Sequence, residues 1–249
     1  MPTMFLRRRA TQAEYFDSPE RTAEELQEHY RGLNRINRRI RFERPFRLWI
    51  PELLGDAACR RLTLLDLGAA DGLLGRELTA WAAQRGWEWE FTNVDASPVA
   101  AAMDPGPRHQ VASVLNLPFD DASFDVVVAS TMTHHLATDT EVVAHFREAD
   151  RVARRAVLIC DLLRSLPFMA ALWAYVGFAG EGRALQSDGA LSVRRGWRPE
   201  EWRRLATAAG LQGARVWKEH GTRVLLARVK PDRTAGGTSE GPAPLAPDP

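Results

Sequence analysis

The run Leu64-Leu65-Asp66-Leu67-Gly68-Ala69-Ala70-Asp71-Gly72 carries the clearest chemical signal in the chain. An apolar stretch ends in a turn with glycines at 68, 72 and 75, and a helix-like segment follows. Glycine lets the backbone come close to a ligand, and a helix start offers free N–H groups. The spacing is not the G-x-G-x-x-G of a dinucleotide site. Asp66 and Asp71 would moreover repel a pyrophosphate, and they suit a ligand that carries a sulfonium and an ammonium group. The competing reading is a turn that merely connects two elements.

A second acid, Asp95, closes the next strand in Val94-Asp95-Ala96-Ser97, about twenty residues on. A carboxylate there can accept hydrogen bonds from both hydroxyls of a ribose, or it can cap the helix that follows. Farther along, Ser130-Thr131-Met132-Thr133-His134-His135-Leu136 follows a very hydrophobic strand. Ligands of open α/β sheets sit beyond such strand ends, where His134 or His135 can act as a general base toward a phenol; alternatively both pack the loop. Asp161 and Arg164, after the next strand, reach the same mouth or form a local ion pair that orders the loop.

The elements that must position these residues alternate. Strands are expected at 62–67, 88–95, 109–114, 124–130 and 156–161, with helices at 72–83, 140–153 and 199–209. Two final strands, 214–218 and 222–229, form a hairpin about Glu219-His220-Gly221. Strand–helix alternation implies a parallel sheet buried on both faces, with the hairpin adding an antiparallel strand. Helices at 21–40, with a start signal at Ser18-Pro19, and at 45–54 precede the sheet as an N-terminal cap, residues 1–55. The main domain is then 56–230, with an apolar lid inserted at about 162–197. That lid runs as an apolar segment, 162–178, and then a loop that includes 187–195. The tail 231–249, rich in Pro, Gly and Ala, is expected to be disordered.

At Ala112-Ser113-Val114-Leu115-Asn116-Leu117-Pro118-Phe119, followed by Phe124-Asp125-Val126-Val127-Val128, the succession resembles the class I S-adenosylmethionine-dependent methyltransferases. The small-molecule group that includes the ubiquinone and menaquinone methylases is the most similar. The resemblance implies a Rossmann-like, mostly parallel seven-stranded α/β sheet with helices on both faces. It implies S-adenosylmethionine as cofactor, touched by Asp66, Gly68, Ala69, Ala70, Gly72, Asp95, Ala96, Ser113, Val114 and Ser130. Ala70 stands where the group has a further glycine, and Ser113 where it has an acid near the adenine. The stretches 187–195 and 33–38 also resemble methylases found beside type III polyketide synthases. That likeness implies a phenolic or quinone-like small-molecule acceptor, met by His134, Asp161, Arg164, Phe168 and Arg194, with secondary metabolism as its setting.

Bulk properties narrow the alternatives. The 249 residues carry a net charge of +1, so no basic stripe argues for a nucleic-acid partner. The absence of an N/D-P-P-Y/F run after 124–130 also weighs against a protein or RNA methyltransferase. Cys59 and Cys160 lie far apart, and reduced thiols in a cytoplasmic protein are expected. No Cys/His set has zinc spacing, so no metal site is expected. The longest apolar stretch, 166–178, is too short to span a bilayer, and no apolar run follows Arg7-Arg8-Arg9 as a secretory signal would require. A nicotinamide-dependent oxidoreductase and a non-catalytic S-adenosylmethionine-binding protein remain as rival readings.

Overall fold

A computed structural model describes residues 6, 8–17, 20–104, 106, 108–180 and 182–231. The expected disordered tail falls, from 232 on, outside the described residues, as do Ser18 and Pro19. Seven strands form one sheet in the order β3-β2-β1-β4-β5-β7-β6. These are β1 (Arg61–Leu67), β2 (Glu88–Asp95), β3 (His109–Val111), β4 (Phe124–Ser130), β5 (Ala153–Leu162), β6 (Arg215–Glu219) and β7 (Arg223–Val229). Every pairing from β3 to β5 is parallel, and β7 runs antiparallel to both β5 and β6. The Rossmann-like sheet and its antiparallel C-terminal pair are therefore as expected.

Alternation within the strands decides which helices cover which face. Along β1, Leu62 and Leu64 pack with Phe46 and Ile50 of α2 (Arg44–Leu54) and with Leu74 and Leu78 of α3 (Leu73–Ala83). Leu65 and Leu67 point the other way, into a cluster with Phe146 of α5 (Asp139–Val152) and Trp202 of α8 (Pro199–Ala208). Fully burying a side chain of this kind contributes about 1.5–3 kcal/mol, so both faces are well anchored. Cys59 and Cys160 are buried free thiols.

The helix α1 (Ala23–Arg39) starts at a capping box in which Thr22 Oγ1 accepts from the Glu25 N–H and Glu25 answers to Thr22. Thr22, not the Ser18-Pro19 pair, is thus the start signal. A short helix, α4 (Pro98–Met103), is capped by Ser97 Oγ at the Ala100 N–H. That removes the capping reading of Asp95, whose carboxylate instead accepts from the Ser97 N–H at 2.8 Å.

Two expectations need correction. Strand β3 pairs with β2 only at residues 109–111, because the chain then turns: the Asn116 N–H bonds the Ser113 carbonyl. Residues 187–195 are not a loop. They belong to α7 (Arg183–Arg195), which pairs with α6 (Leu166–Ala179) to form a helical hairpin between β5 and α8. Leu185 of α7 buries against Val176 of α6 and Ile36 of α1, a contact that the polar look of 187–195 conceals. No described helix is long and apolar enough to cross a membrane.

Candidate active site

The parallel strand order reverses between β1 and β4, and ligands of open sheets bind beyond the C-terminal strand ends at such a point. A cavity of about 1120 Å³ lies there. Gly68, Ala69, Ala70 and Asp71 enter it from the end of β1, and Asp95 and Ala96 from β2. Ser113 and Val114 follow β3, and Ser130, Met132, His134 and His135 follow β4. Helix α1 closes one side through Tyr30, Leu33 and Asn34, and the α6–α7 hairpin another through Phe168, Leu172 and Leu185.

The turn after β1 is shaped by backbone conformation. Gly68 has φ of 68°, and a Cβ there would stand 2.3 Å from Met132 Cγ, so no other residue fits. Ala70 also sits at positive φ, 49°, a strained position for a residue with a Cβ. Its N–H donates to Asp95 Oδ2 at 2.8 Å, which ties the turn to β2. Gly72 lies behind the turn and does not line the cavity; a Cβ on it would meet Asp104 and Asn93 at 2.5 and 2.6 Å. Its glycine serves packing between α3 and the chain after α4.

Among the described residues, three polar oxygens of cavity-lining side chains are buried with no partner: Asp66 Oδ2, Asp71 Oδ1 and Ser130 Oγ. Burial, with Asp95 and Asp104 adding repulsion, holds the Asp66 carboxyl well above the usual carboxylate range. The other oxygen of Asp71 accepts from Asn34 Nδ2 at 2.8 Å and from Arg76 at 3.0 Å. Burial, followed by the charge of Asp95, also raises the Tyr30 phenol, which bonds Ser97. Unpaired buried acceptors favour a ligand that brings donors and positive charge. An ammonium and ribose hydroxyls fit, so the residues present suit S-adenosylmethionine.

A second polar cluster forms where 3₁₀ turn 133–135 meets the end of β5. His134 Nδ1 lies 2.7 Å from Asp161 Oδ1, and the His134 N–H donates to Asp161 Oδ2 at 2.8 Å. Burial alone would raise the Asp161 carboxyl, but the charge of His134 and three hydrogen bonds, from the His134 ring, the His134 N–H and the Leu162 N–H, outweigh it and hold the group low. An ionised Asp161 keeps the proton on Nδ1 and leaves Nε2 as the acceptor. Nε2 stands 3.7 Å from Glu14 Oε1. Burial raises the Glu14 carboxyl, against the lowering effects of His135, Ser192 and Arg195. His135 is half-exposed and bonds Asp17 through Nδ1 at 3.1 Å.

Arg195 at the end of α7 locks this cluster. Its guanidinium donates to the His134 carbonyl at 3.1 Å, the His135 carbonyl at 3.0 Å and Asp17 Oδ2 at 2.7 Å. Arg9 adds bonds to the carbonyls of His134 and Arg195, both at 2.7 Å, and stacks over Trp197 at 3.9 Å. Glu14, His134 and His135 each offer one ligand atom within 4.8 Å, a set that could hold a metal ion. The Arg195 guanidinium, 3.5 Å from Glu14 Oε1, already supplies positive charge there.

The sequence-derived residues thus divide. Asp66, Gly68, Ala69, Ala70, Asp95, Ala96, Ser113, Val114, Ser130, His134, His135 and Phe168 share one cavity. Asp161 lies behind His134 rather than on the wall. Arg164 is buried elsewhere: it donates to the carbonyls of Leu6 and Gly196 and pairs with Glu201 at 2.5 Å, beside a separate smaller pocket. Arg194 does not line the cavity, and its neighbour Arg195 makes the contacts. Glu14, Asp17, Tyr30 and Asn34 were missed as individual site residues. Glu14 and Asp17 reach Arg195 across more than 170 positions, and no local pattern signals that.

Residues 65–160 match the family model described as a methyltransferase domain. No curated protein matches the sequence. Among solved structures, the chain is similar to the plantazolicin methyltransferase BpumL, crystallised with a monoazolic desmethylPZN analog and SAH. The two are 10% identical over 87% of this chain and 92% of that one, with a TM-score of 0.64. It is also similar to a putative methyltransferase from an antibiotic biosynthesis pathway of Anabaena variabilis, 19% identical over 69% and 62% of the two chains, TM-score 0.50. The CMeT domain of a citrinin polyketide synthase is 14% identical over 68% of this chain and 46% of its own, TM-score 0.49. The chain spans less than two thirds of those last two proteins. Likeness at such identities is one of fold.

Proposed function

We propose that this chain, which carries an S-adenosylmethionine-dependent methyltransferase domain over residues 65–160, methylates a phenolic, quinone-like or polyketide small molecule on oxygen, with His134 as the base. The observation that carries this reading is the His134 imidazole, held at 2.7 Å by Asp161 behind it and set in the wall of the cavity that the Gly68 turn also lines.

The cofactor would be held by the 68–71 backbone, Asp66, Asp95 and Ser113. When bound, it supplies an activated methyl group: an O–C bond forms as the C–S bond breaks, and the electron pair leaves on a neutral thioether sulfur. The protein's own part is to bind, orient and exclude water. Asp161 fixes the His134 tautomer, and Nε2 takes the proton from the acceptor hydroxyl, as a positioned imidazole does in general base catalysis. Glu14, with its raised carboxyl, stands beside Nε2 and can hold the acceptor hydroxyl in place. Arg195 and Arg9 grip the backbone carbonyls of the histidine turn, which keeps Nε2 aimed at the cavity.

Helix α1 and the α6–α7 hairpin act as cap and lid over the acceptor. Their apolar side chains Leu33, Phe168, Leu172 and Leu185 suit a flat or lipophilic molecule. Similar folds include one described from an antibiotic biosynthesis pathway and one crystallised with a desmethylPZN analog, which supports a small acceptor in secondary metabolism.

Titration calorimetry with S-adenosylmethionine and S-adenosylhomocysteine, repeated with Asp95→Ala, tests the cofactor. Micromolar binding that is lost in the variant is expected. A screen of phenols and quinols for S-adenosylhomocysteine release then tests the acceptor. Products methylated only on carbon would overturn the oxygen reading.

A further inference from the structure

Three arginines line the cavity at the end formed by the α1–α2 junction and the β6–β7 turn: Arg41, Arg44 and Arg223. None of them meets a carboxylate within ion-pair distance among the described residues. Arg223 is buried, and its Nη1 donates to the Phe42 carbonyl at 2.7 Å and meets the Cys160 thiol at 3.9 Å. Among the described residues, Arg44 reaches the ring of His220, at 3.3 Å, and Arg41 has no side-chain partner. One carboxylate does line this end, that of Glu219. It is held by the indole N–H groups of Trp49 and Trp217, at 3.2 and 3.3 Å, and by His220.

Several arginines elsewhere pair with carboxylates, Arg195 with Asp17, Arg164 with Glu201, Arg151 with Glu148 and Arg76 with Asp71, while Arg9, Arg147, Arg155 and Arg203 donate to backbone carbonyls. Three guanidinium groups against one carboxylate leave an excess of positive charge at this end, buried at Arg223 and open to solvent at Arg41 and Arg44, and such an excess attracts an anion. Backbone strain gathers at the same end, with φ of 51° at Arg41 and 46° at His220, where non-glycine residues are uncommon.

The placement relative to His134 sets the shape of the ligand. Adjacent residues of β5 face opposite sides: Asp161 holds His134 on one, and Cys160 lies beside Arg223 on the other. The cavity therefore runs over the C-terminal edge of the sheet, with the imidazole and the arginines on opposite flanks. We infer that Arg41, Arg44 and Arg223 form an oxyanion subsite, and that the acceptor is an elongated, largely apolar molecule with a carboxylate or similar oxyanion remote from the hydroxyl that is methylated. Guanidinium groups suit such planar anions because they donate in a rigid fork. The inference rests on the proposed acceptor methylation for its assignment of ends.

The test uses ω-(3-hydroxyphenyl)alkanoates with chains of three to eight carbons, each beside the 3-alkylphenol of equal chain length. Calorimetry on the full chain saturated with S-adenosylhomocysteine reads the affinity of each pair. At one chain length the acid is expected to bind at least tenfold more tightly than the phenol. In Arg41→Gln/Arg44→Gln, two exposed positions, that advantage is expected to vanish while affinity for S-adenosylhomocysteine is retained. No advantage at any length, or an advantage that persists in the variant, overturns the subsite. A variant that loses S-adenosylhomocysteine but still binds 5′-methylthioadenosine, which lacks the carboxylate, assigns the arginines to the cofactor and also overturns it. Release of S-adenosylhomocysteine from S-adenosylmethionine with the same acids is read separately. Binding preference without turnover would sink oxygen methylation and leave the subsite standing.

Discussion

The two halves of the cavity are built on different principles. On the side proposed for the methyl donor, Gly68 to Asp71 and Asp95 present mostly backbone, arranged by positive φ and by one hydrogen bond from Ala70 to Asp95. On the side proposed for the acceptor, side chains from distant segments meet: Glu14 and Asp17, the histidine turn, Asp161 and Arg195. A backbone cradle tolerates change outside its few special positions. A side-chain network fails wherever one member is removed, since its partners are left buried and unpaired.

The sharpest way to break this comparison is to uncouple the halves. His134→Gln is expected to lower turnover roughly 10²–10⁴-fold while affinity for S-adenosylhomocysteine stays the same, as calorimetry beside a single-turnover assay would read. If both fall together, the halves are one cooperative unit. On the donor side, Gly68→Ala places a methyl against Met132 at a strained φ. Binding of S-adenosylhomocysteine should weaken roughly 10²–10³-fold, for a strain cost of order 3–4 kcal/mol. Retained affinity would show that Met132 can yield.

Beneath both halves lies His145 on α5. Burial pushes its imidazole down to about 4, with Asp161 opposing the shift. An unfolded histidine titrates near ~6.5. Between those values the unfolded chain binds more protons, so stability is full above about 6.5 and falls as the pH drops toward about 4. The loss is on the order of 3 kcal/mol, and urea midpoints across pH 4–7 should flatten in His145→Leu. A slope unchanged by that substitution would place the acid sensitivity in other groups. The smallest effect is expected for Phe168→Ala in the lid, a rise in KM for a lipophilic phenol of roughly tenfold or less with kcat nearly constant. A fall in kcat instead would mean that α6 helps to aim the acceptor rather than merely cover it.

Much of the donor side was legible beforehand because its information is local. The apolar run of β1, the glycine at 68 and the acid at 95 lie within about thirty-five residues, whereas the glycine at 72, equally visible, packs behind the turn. Asp161 was legible as a residue but not in its role, since its pairing with His134 needs β4 and β5 side by side. Arg164 shows the converse: a polar residue after a strand end seemed free to reach the cavity, yet Glu201 and two carbonyls take it away. The helix α7 escaped notice because its buried face is discontinuous in sequence, with Leu185, Asp188, Val193 and Arg195 answering to α1, α6 and residues 14–17.

By itself the sequence determined the mostly parallel sheet with its antiparallel C-terminal pair and pointed to an S-adenosylmethionine-like ligand. Those depend on periodicity, glycine and short-range turns, which act over a few residues. Only the tertiary structure decided which charges are paired and which are left over. Arg195 is consumed by Asp17 and the histidine turn, whereas Arg41, Arg44 and Arg223 face the cavity with no carboxylate at ion-pair distance among the described residues. Pairing is a matter of a few ångströms in space, and the segments that supply the partners lie up to 180 positions apart, a separation across which no local rule of composition or spacing operates.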